Sequence, residues 1–141
     1  MEALQYPTAD TAQSSLTLVW NGEREATAVT AQGQPIRLGP EVNLSGHDLF
    51  AMAASMCLMA TVLGLARERG LAIEGYVSSA RVGHASGRLT IALAPCVVVR
   101  SAADCGQIDS LWREAIERSA VLRLLGSDLQ IEPSVRAIAE R

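Results

Sequence analysis

From Ser45 to Gly70 the chain reads SGHDLFAMAASMCLMATVLGLARERG, a nearly unbroken run of apolar and small residues. Leu49, Ala53, Met56, Ala60 and Leu63 recur at three- and four-residue steps, which predicts one long helix with these side chains as its core-facing stripe. Ser45 is placed to cap its start, and Asp48 three positions later completes an acidic variant of the capping box. Arg67 and Arg69 suit the negative end of the helix dipole, and Gly70 is placed to stop the helix. In the middle sits a thiol, Cys57, which is either inert core filling or a guarded nucleophile.

The other elements are read around this helix. Leu16 to Trp20 alternate as a strand does, Asn21-Gly22 is a strong tight-turn signal, and Ala26 to Ala31 reads as the returning strand. Gln32-Gly33 marks a second turn before a short strand from Gln34 to Leu38. After the helix, strands are expected over Ile73 to Val82 and Arg88 to Arg100, joined by a turn around His84 to Gly87. Pro95 in the second of these suggests an edge strand or a bulge. Asp104 to Ser119 returns to helical spacing, with Ile108, Leu111, Trp112, Ala115 and Ile116 on one side. That helix is expected to continue to Leu125 and to end at Gly126. Asp128 to Ile131 reads as a last strand, and the tail from Ser134 as a short helical turn. The order βββ-α-ββ-α-β implies an α+β domain with helices segregated onto antiparallel sheet.

The chain has 141 residues, which fits a single domain, 1–141, with 1–14 as a loose lead-in. Its formal charge is -3, and all 12 basic residues are Arg. With no basic block and few aromatics, nucleic acid is not an expected partner. The start, MEALQYPTAD, lacks the charged and apolar blocks of a secretory signal. The apolar run from Leu49 to Ala66 contains Ser55, Thr61, Gly64 and many alanines, and falls short of the about 20 strongly apolar residues of a membrane span. No membrane partner is therefore expected, and the location is read as cytoplasmic. The three cysteines, Cys57, Cys96 and Cys105, are irregularly spaced and read as free thiols. With no CxxC pair and no Cys/His cluster, neither a metal nor another cofactor is expected.

With these elements in place, their order and the central helix resemble the OsmC/Ohr family of thiol peroxide reductases, from Leu16 to about Ile131. The resemblance is carried by the WNGER turn, by the small-residue helix reaching Cys57 with LMATVLGLA after it, and by a second helix ending ERSAVLRLL. It implies an OsmC-like fold and an intertwined homodimer with two active sites at the subunit interface. It also implies reduction of organic hydroperoxides by a pair of cysteines, helped by an Arg and a Glu. Cys57 matches the peroxidatic cysteine, and Arg24 is the best match for the arginine that polarises it. Where the family usually has Pro-Glu-Glu or Pro-Glu-Gln, this chain has Gly46, His47 and Asp48, so the catalytic Glu position falls on His47, with Asp48 a neighbouring acid. Where the family has Cys-Pro-Val-Ser, this chain has Ser119, Ala120, Val121 and Leu122. The resolving cysteine is missing.

The chemistry narrows these assignments. A peroxidatic cysteine reacts as its thiolate, and an apolar helix alone disfavours that form, so a cation such as Arg24 is required close by. His47 lies ten residues before Cys57, about 15 Å along a continuous helix, and cannot touch it there. Replacing the resolver from within the chain would need Cys96 or Cys105 to bring its Cα within about 7 Å of that of Cys57. Two functions remain open. One is a hydroperoxide reductase whose sulfenic acid is reduced by a small thiol or a dithiol partner. The other is a non-catalytic dimer with an interface pocket, lined by Met52, Met56, Leu58 and Met59, that binds an apolar small molecule.

Overall fold

The computed structural model describes residues 16–22, 25–38 and 46–138, and the chain divides into two compact units, residues 1–45 and 46–141. The first unit is a three-stranded antiparallel sheet of β1 (Leu16–Gly22), β2 (Glu25–Thr30) and β3 (Pro35–Leu38), in that order. Thr, Val and Trp side chains suit a pleated strand. Leu16 pairs with Thr30 and Trp20 with Ala26, and the register then shifts between Trp20 and Gly22. Asn21 and Gly22 thus finish β1 instead of forming the turn, which lies outside the described residues. The second turn is closed by Gly33 at φ +79°, whose N–H donates to the Thr30 carbonyl at 2.9 Å.

The second unit begins with α1 (Gly46–Glu68), an uninterrupted helix of 23 residues. Its buried side chains are Ala51, Ala54, Leu58, Val62, Leu65 and Ala66, again at three- and four-residue steps. The stripe expected to face the core is the opposite one: Ala53, Met56, Ala60 and Leu63 are exposed and Leu49 is half-buried. Because α1 is apolar on every side, two faces satisfy the same periodicity. The expected cap, Ser45, lies outside the described residues. At the other end the chain forms a Schellman motif. The Leu71 N–H donates to the Ala66 carbonyl at 2.8 Å and the Gly70 N–H to that of Arg67 at 3.2 Å, with Gly70 at φ +67°.

β4 (Gly75–Ala85) and β5 (Arg88–Val99) form a long antiparallel hairpin. The expected turn around His84 tightens to Ser86-Gly87, whose φ values of 54° and 75° suit the primed turns that match strand twist. β5 is the central strand. It pairs with β4 on one side and, in parallel, with β6 (Leu129–Ile131) and β7 (Ser134–Ala137) on the other. This corrects two expectations: the sheet is mixed, not antiparallel, and the tail from Ser134 is a strand, its burial alternating along four residues.

Pro95 is buried in this central strand, and the register to β4 is unbroken around it, so it marks neither an edge nor a bulge. β6 and β7 share one register against β5, interrupted at Glu132 and Pro133. Carried through the gap, that register sets Pro133 opposite Pro95, neither of which has an N–H to donate. The ladder is held on both sides of the gap, where Leu93 accepts from Glu132 N–H at 2.9 Å and Val99 from Ile138 N–H at 2.8 Å.

α2 (Ala102–Arg118) buries Ile108, Leu111, Trp112 and Ala115, as its spacing predicts. It does not run on to Leu125. The chain breaks at Ser119 (φ -79°, ψ 115°) and restarts as α3 (Ala120–Leu125), ended by Gly126. The core joins Leu58 and Val62 of α1, Ile91, Leu93, Val97 and Val99 of β5, and Ile108, Leu111 and Ala115 of α2, all at most 1% exposed. α1 is long and apolar enough to cross a membrane by length and composition, yet one of its faces closes this core against α2, α3 and β4. Arg69 pairs with Glu114, tying the end of α1 to α2.

Because Gly70 alone relieves strain at its positive φ, Gly70→Ala is expected to destabilise the fold by about 1 kcal/mol or somewhat more. Urea unfolding at constant m-value checks this.

Candidate functional site

α1 places Cys57 on the border between its two faces. Among its helical neighbours Ala54 is buried, Thr61 is half-buried, and Ala53 and Ala60 are exposed. The thiol is half-buried and unbridged, and only small side chains crowd it one turn to either side. The Thr61 hydroxyl donates to the Cys57 carbonyl at 2.8 Å, a bond back along the helix that fixes the Thr61 rotamer. Beyond Cys57, α1 presents an uncovered apolar face, with Phe50 40%, Met52 51%, Met56 54% and Leu63 37% exposed.

The other expected residues fall in different places. Arg24 lies outside the described residues. His47 and Asp48 occupy the first turn of α1, both exposed. The helix between His47 and Cys57 is unbroken, which keeps these two side chains about 15 Å apart along its axis. The His47 ring instead stacks on His84 at the end of β4, with centroids 5.9 Å apart and planes 20° from parallel. Of the four residues expected to line an interface pocket, Met52 and Met56 are exposed and Met59 is half-buried. Leu58 is completely buried and belongs to the core instead.

Ser119 sits at the α2–α3 break, 3% exposed, and its hydroxyl has no hydrogen-bond partner among the described residues. Its carbonyl accepts the Arg123 N–H at 3.0 Å and its own N–H donates to Ala115 at 3.1 Å, so it ends one helix and starts the next. The remaining thiols lie elsewhere. Alternate residues of β5 from Ile91 to Val99 enter the core, so Cys96 points to the other face of the sheet, away from the side on which α1 and α2 pack. Cys105 is in the first turns of α2, about 21 Å along that helix from Ser119.

Three more buried polar groups lack partners among the described residues: the hydroxyls of Tyr76 and Ser78 and the indole N–H of Trp112. The Tyr76 and Trp112 rings meet at 6.3 Å and 51°. Among the described residues no group of three or more His, Cys, Asp or Glu side chains could hold a metal ion. A cleft of about 640 Å³ opens between the end of α2, α3 and β6, lined by Ile116, Glu117, Leu122, Arg123, Gly126, Leu129 and Ile131. It includes none of the expected site residues, and its apolar walls gave no distinctive signal in the sequence.

No protein-family model and no curated protein matches the chain. Solved structures do. An OsmC-like protein of unknown function from Vibrio cholerae has a TM-score of 0.75 at 18% identity, covering 86% of this chain and 99% of its own. An OsmC-like protein from Mycoplasma pneumoniae has a TM-score of 0.75 at 17% identity, covering 92% and 99%. The organic hydroperoxide resistance protein OhrB of Bacillus subtilis has a TM-score of 0.65 at 13% identity, covering 89% and 98%. The chain thus has the OsmC/Ohr fold, as its order of elements implied.

Burial pushes the Tyr76 phenol up from 10.0 to about 12, so folding favours its neutral form. Its contribution to stability is complete below pH 10.0 and is lost as pH rises from there to about 12. The chain contains no lysine to obscure this range. Urea unfolding across it is expected to show a stability loss that Tyr76→Phe lacks.

Proposed function

We propose that this protein is a thiol-dependent hydroperoxide reductase of the OsmC/Ohr kind, with Cys57 as its peroxidatic thiol. The observation that carries the reading is the position of Cys57: half-buried beside small residues at the edge of an uncovered apolar face, instead of inside the core with Ala54 and Leu58. There an apolar hydroperoxide can reach the sulfur. Arg24 is assigned as the cation that holds the thiolate, and His47 and Asp48 stand where the fold family carries its acid. The protein is read as soluble and cytoplasmic, with both compact units belonging to one OsmC-like domain.

The reaction follows from the thiol. The thiolate attacks the terminal peroxide oxygen, an S–O bond forms as the O–O bond breaks, and the leaving alkoxide takes a proton to depart as the alcohol. The sulfenic acid left on Cys57 is reduced from outside by two thiols or one dithiol. The first sulfur displaces water to give a mixed disulfide, and the second displaces Cys57. An external reductant is assigned because Ser119 has no thiol, Cys96 lies on the other face of the sheet, and Cys105 is in the first turns of α2, about 21 Å along that helix from Ser119.

At pH 7 an ordinary thiol is only a few per cent ionised, so full ionisation alone accelerates attack about 30-fold. Reduced protein is expected to consume cumene hydroperoxide faster than that margin over free cysteine, and Cys57→Ser to abolish it. A rate equal to free cysteine would sink the catalytic assignment and leave a non-catalytic binder of apolar molecules. Ser119→Cys adds a diagnostic: peroxide should then close a disulfide between Cys57 and the introduced thiol, seen by mass spectrometry of non-reduced digests.

The exposed side of α1 also supports a homodimer, since Met52, Met56 and Leu63 share one strip of it and Phe50 lies on its other border, and contiguous exposed apolar surface marks interaction sites. The exposed Leu16, Leu18 and Trp20 of β1 and the outer edge of β4, which has no strand partner among the described residues, point the same way. Light scattering is expected to give twice the 14.9 kDa chain mass. Met56→Glu, which places a charge in the strip, is expected to shift the population to monomer.

A further inference from the structure

The chain has two histidines, and the fold brings them together from separate elements. His47 comes from the first turn of α1 and His84 from the end of β4, and their exposed rings lie 5.9 Å apart. Neither imidazole makes a hydrogen bond or ion pair within the described residues, and both rings are exposed. A metal–nitrogen bond is about 2.0–2.1 Å, which places two imidazoles sharing one ion with ring centres about 5 Å apart at a tetrahedral angle and about 6 Å apart when that angle opens. At 5.9 Å, with planes 20° from parallel, the pair stands at the open end of that range. What remains is rotation about χ2, a broad torsion, to turn one nitrogen of each ring into the gap.

We propose that His47 and His84 form a two-histidine site for a borderline divalent ion, Zn²⁺ or Ni²⁺, that clamps the start of α1 to the end of the β4–β5 hairpin. Imidazole suits these ions better than Mg²⁺ or Ca²⁺. No third His, Cys, Asp or Glu joins the pair among the described residues, so water fills the other coordination positions. The positive end of α1 opposes a cation and keeps the affinity modest. The site does not depend on the Cys57 chemistry proposed above.

The test is calorimetric titration of ZnCl₂ into the reduced full chain, repeated with NiCl₂ after the thiols have been alkylated. One ion per chain is expected in both, with a rise in Tm at saturating metal. His47→Gln and His84→Gln should each weaken binding about tenfold or more. Both changes lie on exposed rings, and unaltered circular dichroism confirms that the fold persists. Four results would overturn the site: no saturable binding, binding unchanged in both variants, loss in only one variant, or loss on alkylation.

Discussion

A helix that is apolar on all sides cannot be satisfied by one layer of partners. α1 buries Ala54, Leu58 and Val62 completely against the rest of its unit, and this contact organises everything from Gly46 onward. By area, fully burying a Leu or Val side chain is worth about 1.5–3 kcal/mol, so that face alone outweighs the surface ion pairs of the chain, each worth about 0.2–1 kcal/mol. The opposite face keeps Met52 and Met56 about half exposed. The same composition that makes α1 a firm core element leaves a second strip that a covering surface would stabilise.

The sheet beneath α1 is built around β5 for a related reason. Its inward residues, Ile91, Leu93, Val97 and Val99, are essentially inaccessible, and a strand buried that deeply needs ladder partners on both edges. β4 supplies one edge without interruption. On the other edge β6 and β7 divide the work on either side of Pro95, where the ladder is interrupted at Glu132 and Pro133. The ladder bond that Pro95 cannot donate thus falls at the junction between the two short strands, and the register to β4 is unaffected.

Much of this was legible in the sequence, and the failures have identifiable causes. The α+β order, the extent of α1 and the buried stripe of α2 all follow from periodicity and from stop signals such as Gly70. The inward face of α1 was not legible, because two stripes obey the same spacing and only packing chooses between them. The break at Ser119 carries no Gly or Pro to announce it. β7 is too short for its alternation to stand out from a helical turn. At the site, the place of Cys57 on α1 could be read from its small flanking residues, whereas the contact of His47 with His84 joins residues with no local relation and needed the fold.

Ser119 ties the fold to the proposed chemistry. Its hydroxyl is buried and has no partner among the described residues at the junction of two helices, and an unsatisfied buried hydroxyl costs about 1–3 kcal/mol. A cysteine there would carry a smaller penalty, because a thiol is a weak hydrogen-bonding group that packs as a small hydrophobe. Stability alone therefore does not account for serine at this position. On the proposed reading, its effect is to leave the oxidised Cys57 without a resolving thiol at this position, so that the sulfenic acid would persist until a reductant arrives from solution. Peroxide in excess would carry that sulfur on to the irreversible acids, so a reductase built this way suits a compartment where free thiol greatly exceeds hydroperoxide.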